Sequence, residues 1–324
     1  MMQSSRLGVL ALVIVTVLSS AGCSYYNRIL ARKNLVDGSK AYKDRKFQEA
    51  ENLFRNAVER DPKGETVEGK TAQLFLARTL HSEYIGNRSD RTKAEAAIAE
   101  YRKALTVDPN DQSSYKAIAS LLENLQKSDE WQTWVTERAN NQSINPENRA
   151  EALVSLAAKK NTCANDITDT DKTKKTITQN GKQIFQFVKP ENAEELTTLQ
   201  GCINDGMALI DQALALEGPA GVANAKTVDV KAATDADLKK RGDLLRVFES
   251  ARSYKASLLI QAMRLAEMEG RTADRDKFKA DADTAKNNFL DLSNVVKDIQ
   301  AEIDDRVAAK EAAESENKNA NAAK

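Results

Sequence analysis

Hydrophobic positions recur along most of this chain with the period of a helix, and where the period lapses the composition turns to Thr, Asp, Asn and Lys. The first apolar stretch, Leu7 to Leu18, is too short to cross the ~30 Å hydrocarbon core of a bilayer and reads as the centre of a signal peptide over residues 1–22. Residues 23–30 form an N-terminal segment. Over 31–160, small and aromatic residues fall at helical steps, which predicts helices packed in antiparallel pairs. From Asn161 to about Pro190 that pattern stops, and an irregular insertion is expected over 161–190. Inside it, Ile177 to Val188 brackets Asn180-Gly181, which predicts a small β-hairpin, since both central residues of a type I′ turn need positive φ. Helical patterning resumes over 191–307, first with Gly206, Ile210 and Ala213 and, after a loop from Gly218 to about Asp235, as one long helix from Asp237 to Glu269. A last helix carries Phe278, Ala282, Ala285, Phe289, Leu292, Val296, Ile299, Ile303 and Val307, a heptad seam that needs a helical partner. The preceding helix can serve, and so can a second copy of the chain. The tail from 308 to 324 lacks apolar periodicity and is expected to be disordered.

Within residues 31 to 64, Gly38, Ala50, Phe54, Ala57 and Pro62 keep a fixed spacing: a small residue in a first helix, then small, aromatic and small in a second, then a terminating proline. Tyr42 and Phe47 occupy the aromatic positions near the turn. Ala97, Tyr101, Ala104 and Pro109 repeat the set, with Leu76, Ala77 and Leu80 on the helix before it and extra residues from Ser82 to Asp90 read as a surface loop. A third unit starts at Gln112 with Tyr115, Ile118, Ala119 and Leu122, but Trp131, Trp134 and Arg138 replace its smaller residues. Arg149 to Ala158 begin a fourth. These residues resemble the tetratricopeptide signature. The resemblance implies an all-α solenoid of helical hairpins, here with the β-hairpin insertion and long C-terminal helices, and a role in binding proteins.

Ser19-Ser20-Ala21-Gly22 followed by Cys23 resembles the lipobox of bacterial lipoproteins, although Ser20 stands where Leu is commoner. The resemblance implies acylation at Cys23 and a lipid anchor facing the periplasm, and Ser24, in place of an inner-membrane Asp signal, favours the outer membrane. A plain secretory signal is the alternative.

Composition narrows the chemistry. Lys plus Arg and Asp plus Glu total 48 each, so no net field draws the chain to nucleic acid. One histidine and three cysteines leave too few ligands for most zinc sites and most His-based catalytic sets, so no cofactor, no metal and no enzymatic activity are expected. Once Cys23 is acylated, Cys163 and Cys202 remain, and in an oxidising periplasm they are expected to pair; two buried thiols are the alternative.

Tetratricopeptide arrays present the first helix of each pair to their ligands. Carried over by resemblance, the partner-binding groove comprises Ser39, Tyr42 and Lys43, then Arg78 and His81, then Lys116, Glu123 and Asn124. This mixed polar lining suits a peptide or helix from another envelope protein. The expectation is a lipid-anchored adaptor, against a homo-oligomer built on the C-terminal seam or an envelope substrate-binding protein or enzyme.

Overall fold

The computed structural model describes residues 25–322, so the signal segment and Cys23 lie outside the described residues. The chain divides into two compact units, residues 1–131 and 132–324. Helices dominate both.

In the first unit, α1 (25–43), α2 (Phe47–Arg60), α3 (Val67–Gly86), α4 (Arg91–Val107) and α5 (Gln112–Asn124) follow one another, each packed on the next. The core between them is built from alanines and a few rings: Ala31, Ala50, Ala57, Ala72, Ala77, Ala94 and Ala97 are buried, as is Phe54. The ring of Phe54 lies so close to Gly38 that an added β-carbon would stand 2.7 Å from its Cε1. Small residues thus let α1 and α2 approach, and the aromatic fills the remaining space against Phe75 of α3, with ring centroids 5.5 Å apart.

Local chemistry sets the helix ends. Asp61 terminates α2 and its carboxylate accepts from the Glu65 amide (3.0 Å) and the Thr66 amide (2.7 Å), while Thr66 Oγ1 caps α3 by accepting from the Gly69 amide (3.0 Å). Asp111 caps α5 in the same way through the Ser113 and Ser114 amides. Helix α1 closes with a paired bond set, Lys46 N to Ala41 O and Arg45 N to Tyr42 O, with Arg45 left-handed at φ 60°. Helix α5 closes identically, Lys127 N to Leu122 O and Gln126 N to Glu123 O, with Gln126 at φ 58°. This is the Schellman arrangement, and the same turn recurs at one further place among the described residues.

Two sequence expectations change here. Residues 82–86 of the expected surface loop belong to α3, which runs to Gly86, so only Asn87 to Asp90 form the turn before α4. Tyr84 is buried, and this apolar anchor carries the helix one turn further. Beyond α5, helix α6 (Ser128–Asn140) spans the junction of the units, with Trp131 buried and Trp134 half-buried.

In the second unit, α7 (Pro146–Thr168) and α8 (Ala193–Leu214) form an antiparallel pair, joined by the Cys163–Cys202 disulfide with Cα atoms 6.2 Å apart and by Lys160 Nζ to Asp205 Oδ2 at 2.7 Å. The first eight residues of the expected insertion, 161–168, therefore remain helical, because Ala164 and Thr168 still have a core to enter. The insertion proper holds β1 (Lys174–Gln179) and β2 (Lys182–Phe187), antiparallel with Ile177 opposite Ile184, turning through Asn180 (φ 52°) and Gly181 (φ 74°). Phe187 anchors it in a cluster with Leu199, Cys202, Ile203, Leu265 and Met268, and Glu267 Oε1 accepts from its amide at 3.1 Å.

Two short helices, α9 (Glu217–Ala220) and α10 (Val222–Lys226), occupy what the sequence presents as loop, with Val222 and Ala225 buried. Helix α11 (Asp235–Met268) then packs on both α7 and α8, and α12 (Thr272–Ala322) returns along it. The α11–α12 turn repeats the closure of α1 and α5: Arg271 N to Ala266 O and Gly270 N to Glu267 O, with Gly270 at φ 72°. The central part of the α12 heptad seam is covered within the chain, since Ala282, Ala285, Leu292, Val296 and Ile299 are buried and Ile299 reaches Gly242 of α11, while Val307 at its end is exposed. Arg306 extends the attachment, donating to the carbonyls of Val230 (2.9 Å) and Ala233 (2.8 Å) and to Asp235 Oδ1 (2.9 Å). From Ala308, where the sequence lacks apolar periodicity, α12 continues to Ala322, with residues 308–316 exposed. Ala, Glu and Lys sustain a helix by propensity where no apolar face holds it.

Replacing Gly38 by Ala overpacks the α1–α2 contact and is expected to cost about 1–3 kcal/mol, read as a lower urea midpoint at unchanged m-value. An unchanged midpoint would show that the Phe54 ring shifts freely. The disulfide encloses the whole hairpin insertion, a sequence separation of 39. Replacing both Cys163 and Cys202 by Ser is expected to lower stability by about 4 kcal/mol on the chain-entropy account, and thiol titration of the unreduced protein is expected to find neither sulfur free.

Candidate partner-binding site

The first helices of successive pairs run parallel and in contact. Arg28 Nε bonds Glu68 Oε2 (3.1 Å) and Tyr42 Oη bonds Ser82 Oγ (3.0 Å), both at a sequence separation of 40, so α1 and α3 are in register from end to end. Arg78 Nη2 donates to Ser113 Oγ (3.3 Å) and Arg88 Nη1 to Asn124 Oδ1 (3.0 Å), at separations of 35 and 36, which aligns α3 with α5. These offsets exceed the roughly 34-residue tetratricopeptide period, by about one or two residues between α3 and α5 and about six between α1 and α3.

That register gathers part of the sequence-predicted groove into one patch. Tyr42 sets its ring edge against Phe47 at 5.5 Å and Phe75 at 6.1 Å, and the Arg78 guanidinium lies over the Phe75 ring at 5.5 Å. Tyr42, Phe75, Arg78 and Ser113 therefore form a continuous aromatic and cationic strip across three helices. A guanidinium held over a ring offers more donors than its one bond to Ser113 uses, and can take a carboxylate or a backbone carbonyl from an incoming segment. Lys43, Lys116, Glu123 and Asn124 lie exposed on α1 and α5. Asn124 is engaged by Arg88 and by its own backbone at Ser120.

Two predicted residues are turned elsewhere. The Ser39 hydroxyl donates to the carbonyl of Leu35 at 2.7 Å, back along its own helix. His81 faces α4: its ring meets the buried ring of Tyr101 edge-on at 6.0 Å, and Nδ1 lies 3.4 Å from the phenol oxygen. Burial, with some help from the Arg88 charge, pushes the imidazole pKa down, and burial pushes the Tyr101 phenol up. Both rings are thereby kept neutral, as a packed pair between helices.

Sequence reasoning missed Phe75, Ser82 and Arg88. Phe75 was legible, because an aromatic residue three positions before Arg78 shares its helix face. Arg88 was not, since it lies in the turn beyond α3 and reaches Asn124 only through the packing of α5.

Behind the strip, three helices are tied by charge. Lys93 Nζ of α4 lies 2.7 Å from Glu51 Oε2 of α2 and 2.6 Å from Glu83 Oε2 of α3, and Arg55 holds the other Glu51 oxygen at 2.7 Å. Burial raises the Glu51 pKa, but the hydrogen bonds from Lys93 and Arg55 outweigh it and hold the carboxyl below its usual range. Glu83 is raised, chiefly by burial, with Lys93 offsetting this in part and Glu51 adding to it. Among the described residues, no group of three or more His, Cys, Asp or Glu side chains is placed to hold a metal ion, and no helix is long and apolar enough to cross a membrane.

The lowered pKa of His81 carries a pH signature. The unfolded chain binds that proton more readily than the folded protein, so stability is expected to decline as pH falls below the imidazole's ordinary 6.5. In urea titrations at pH 7.5 and 5.0, His81→Gln is expected to lose less stability on acidification than the parent. An equal loss in both would mean that the ring is solvated and freely protonated.

No family model matches the chain, and no curated protein does. Among solved structures, the chain is similar to one described as "Functional Characterization of Pseudomonas Aeruginosa pilF", at 16% identity and a TM-score of 0.31, covering 85% of this chain and 99% of that one. A likeness at that TM-score decides neither fold nor function, and both rest on this chain's own residues: an all-α stack of helical hairpins interrupted by one small antiparallel sheet.

Proposed function

We propose that this protein is a lipid-anchored adaptor of the bacterial cell envelope, which holds a segment of another envelope protein along the parallel faces of α1, α3 and α5. The observation that carries the reading is the register of those helices, which brings Tyr42 of one repeat into a strip with Phe75 and Arg78 of the next. Paired helices that present one aligned face each make an extended binding surface, and their chemistry is recognition.

Anchoring rests on Cys23, which follows Ser19-Ser20-Ala21-Gly22 in the manner of a lipobox. Acyl chains contribute about 0.8 kcal/mol per buried methylene, so two or three on one cysteine hold a protein at a bilayer. A periplasmic site agrees with the Cys163–Cys202 bond, and Ser24 favours the outer membrane. The packing of α11 on Ala282, Ala285, Leu292, Val296 and Ile299 of α12 favours the adaptor over self-association through that seam.

Crosslinking in intact cells, followed by identification of the captured protein, tests the reading. The parent chain is expected to yield a discrete partner, and replacing Tyr42, Arg78 and Lys116 together is expected to reduce that capture about tenfold or more, the scale on which anchor residues of an interface act. Undiminished crosslinks in the triple variant would move the binding surface elsewhere. Mass spectrometry of the N-terminal peptide from membranes is expected to find acyl chains on Cys23, and an unmodified cysteine there would remove the anchor.

A further inference from the structure

The outward side of α1 gathers exposed apolar side chains among basic ones. Its inward side is ordinary, with Ala31, Gly38 and Ala41 buried. Outward it carries four apolar or aromatic side chains, Tyr25 (70% exposed), Tyr26 (60%), Ile29 (49%) and Val36 (59%). Every other exposed position of the helix is basic: Arg28, Arg32, Lys33, Lys40 and Lys43. The one acidic residue of α1, Asp37, is half-exposed and paired with Lys33, against five exposed basic residues, in a chain whose 48 basic and 48 acidic residues otherwise balance. Arg28 and Lys33 do touch Glu68 and Asp37, yet both keep more than half of their side-chain surface in solvent.

We infer that this face of α1 is a lipid-binding surface, which lays the helix along an anionic phospholipid headgroup layer. The mixture is diagnostic. A solvated helix face carries both signs of charge, and a helix face that packs on protein carries few lysines, whereas aromatic and aliphatic side chains set among basic ones match an interfacial layer of phosphates over acyl chains. Tyrosine favours the headgroup level, where its ring is shielded and its hydroxyl is wet. Position supplies the second argument. Tyr25 is two residues beyond Cys23 in the sequence, so at most about 7 Å of chain can separate them. This part of the inference rests on acylation at Cys23, which would place the first turn of α1 within reach of the headgroups. A helix lying flat then brings Arg32, Val36, Lys40 and Lys43 down along about 28 Å of surface. Tyr42 projects away from that surface to Ser82 of α3, so the strip proposed to bind a partner stays open above the membrane.

Vesicle co-sedimentation tests the face without the anchor. The chain from residue 23 onward carrying Cys23→Ser, shown to be helical by circular dichroism, is mixed with vesicles of phosphatidylglycerol or of phosphatidylcholine. Binding is expected at least tenfold stronger to the anionic vesicles and largely lost in 0.5 M salt. The combined Arg32→Glu, Lys33→Glu and Lys40→Glu variant is expected to bind at least tenfold more weakly, and Tyr25→Ser with Ile29→Ser several-fold more weakly. A matched reversal on α12, Lys277→Glu, Lys279→Glu and Lys286→Glu, is expected to bind as the parent does. Equal binding to both vesicle types, no binding to either, or equal loss in the α1 and α12 variants would overturn the inference. So would capture of a protein by this face that the α1 reversal abolishes while vesicle binding persists. Acylation of Cys23 is read separately by mass, so a failure of the anchor and a failure of this face are told apart.

Discussion

The close approach of helices at alanine and glycine is the constraint on which the first unit depends. Gly38 leaves room for one ring, Phe54, and that ring in turn meets Phe75 of the following pair. A large side chain at either small position would push α1 and α2 apart, and the register that aligns Tyr42 with Ser82 and Arg28 with Glu68 would go with it. The surface strip is therefore a consequence of packing beneath it. Its polar and aromatic members stand where they do because the buried alanines fix the separation of the helices that carry them.

Charge supports the same register from within. Lys93 joins carboxylates from two other helices, so a shift of α2 or α3 against α4 would break one of its two contacts. Buried ion pairs of this kind contribute little net stability, but breaking one is costly, so they penalise a slipped arrangement more than they reward the right one. His81 and Tyr101 do similar work nearby as neutral rings. The sole histidine of the chain thus has a structural occupation.

The second unit reuses the helical hairpin with two changes. The α7–α8 pair is opened by a β-hairpin, which the Cys163–Cys202 bond encloses and Phe187 pins to the α11 side of the core. The α11–α12 pair is longer, yet it closes with the same turn as α1 and α5, with Gly270 taking the left-handed position held elsewhere by Arg45 and Gln126. Glycine adopts that conformation without strain, whereas the other two residues hold it because the paired bonds and the following helix require it. Three unlike sequences thus reach one geometry, which explains why the turn went unnoticed in the sequence.

The sequence by itself determined the local elements: helical pairs from Gly38, Ala50, Phe54 and Ala57, the β-turn from Asn180-Gly181, the long helices from their apolar stripes. These depend on neighbours a few residues away, and such spacing is written directly in the chain. Tertiary structure alone decided how far α3 and α7 extend, because Tyr84 and Thr168 find buried surroundings only once other helices are in place. It decided that α11 covers the seam of α12, a choice between partners that periodicity leaves open. It also decided that Tyr42 and Arg78 share a strip while His81 and Ser39 turn inward or along the helix, since a few tens of degrees about a helix axis separates a surface residue from a packed one. Sequence spacing specifies which face of a helix a residue occupies, whereas the neighbouring helices specify what that face meets.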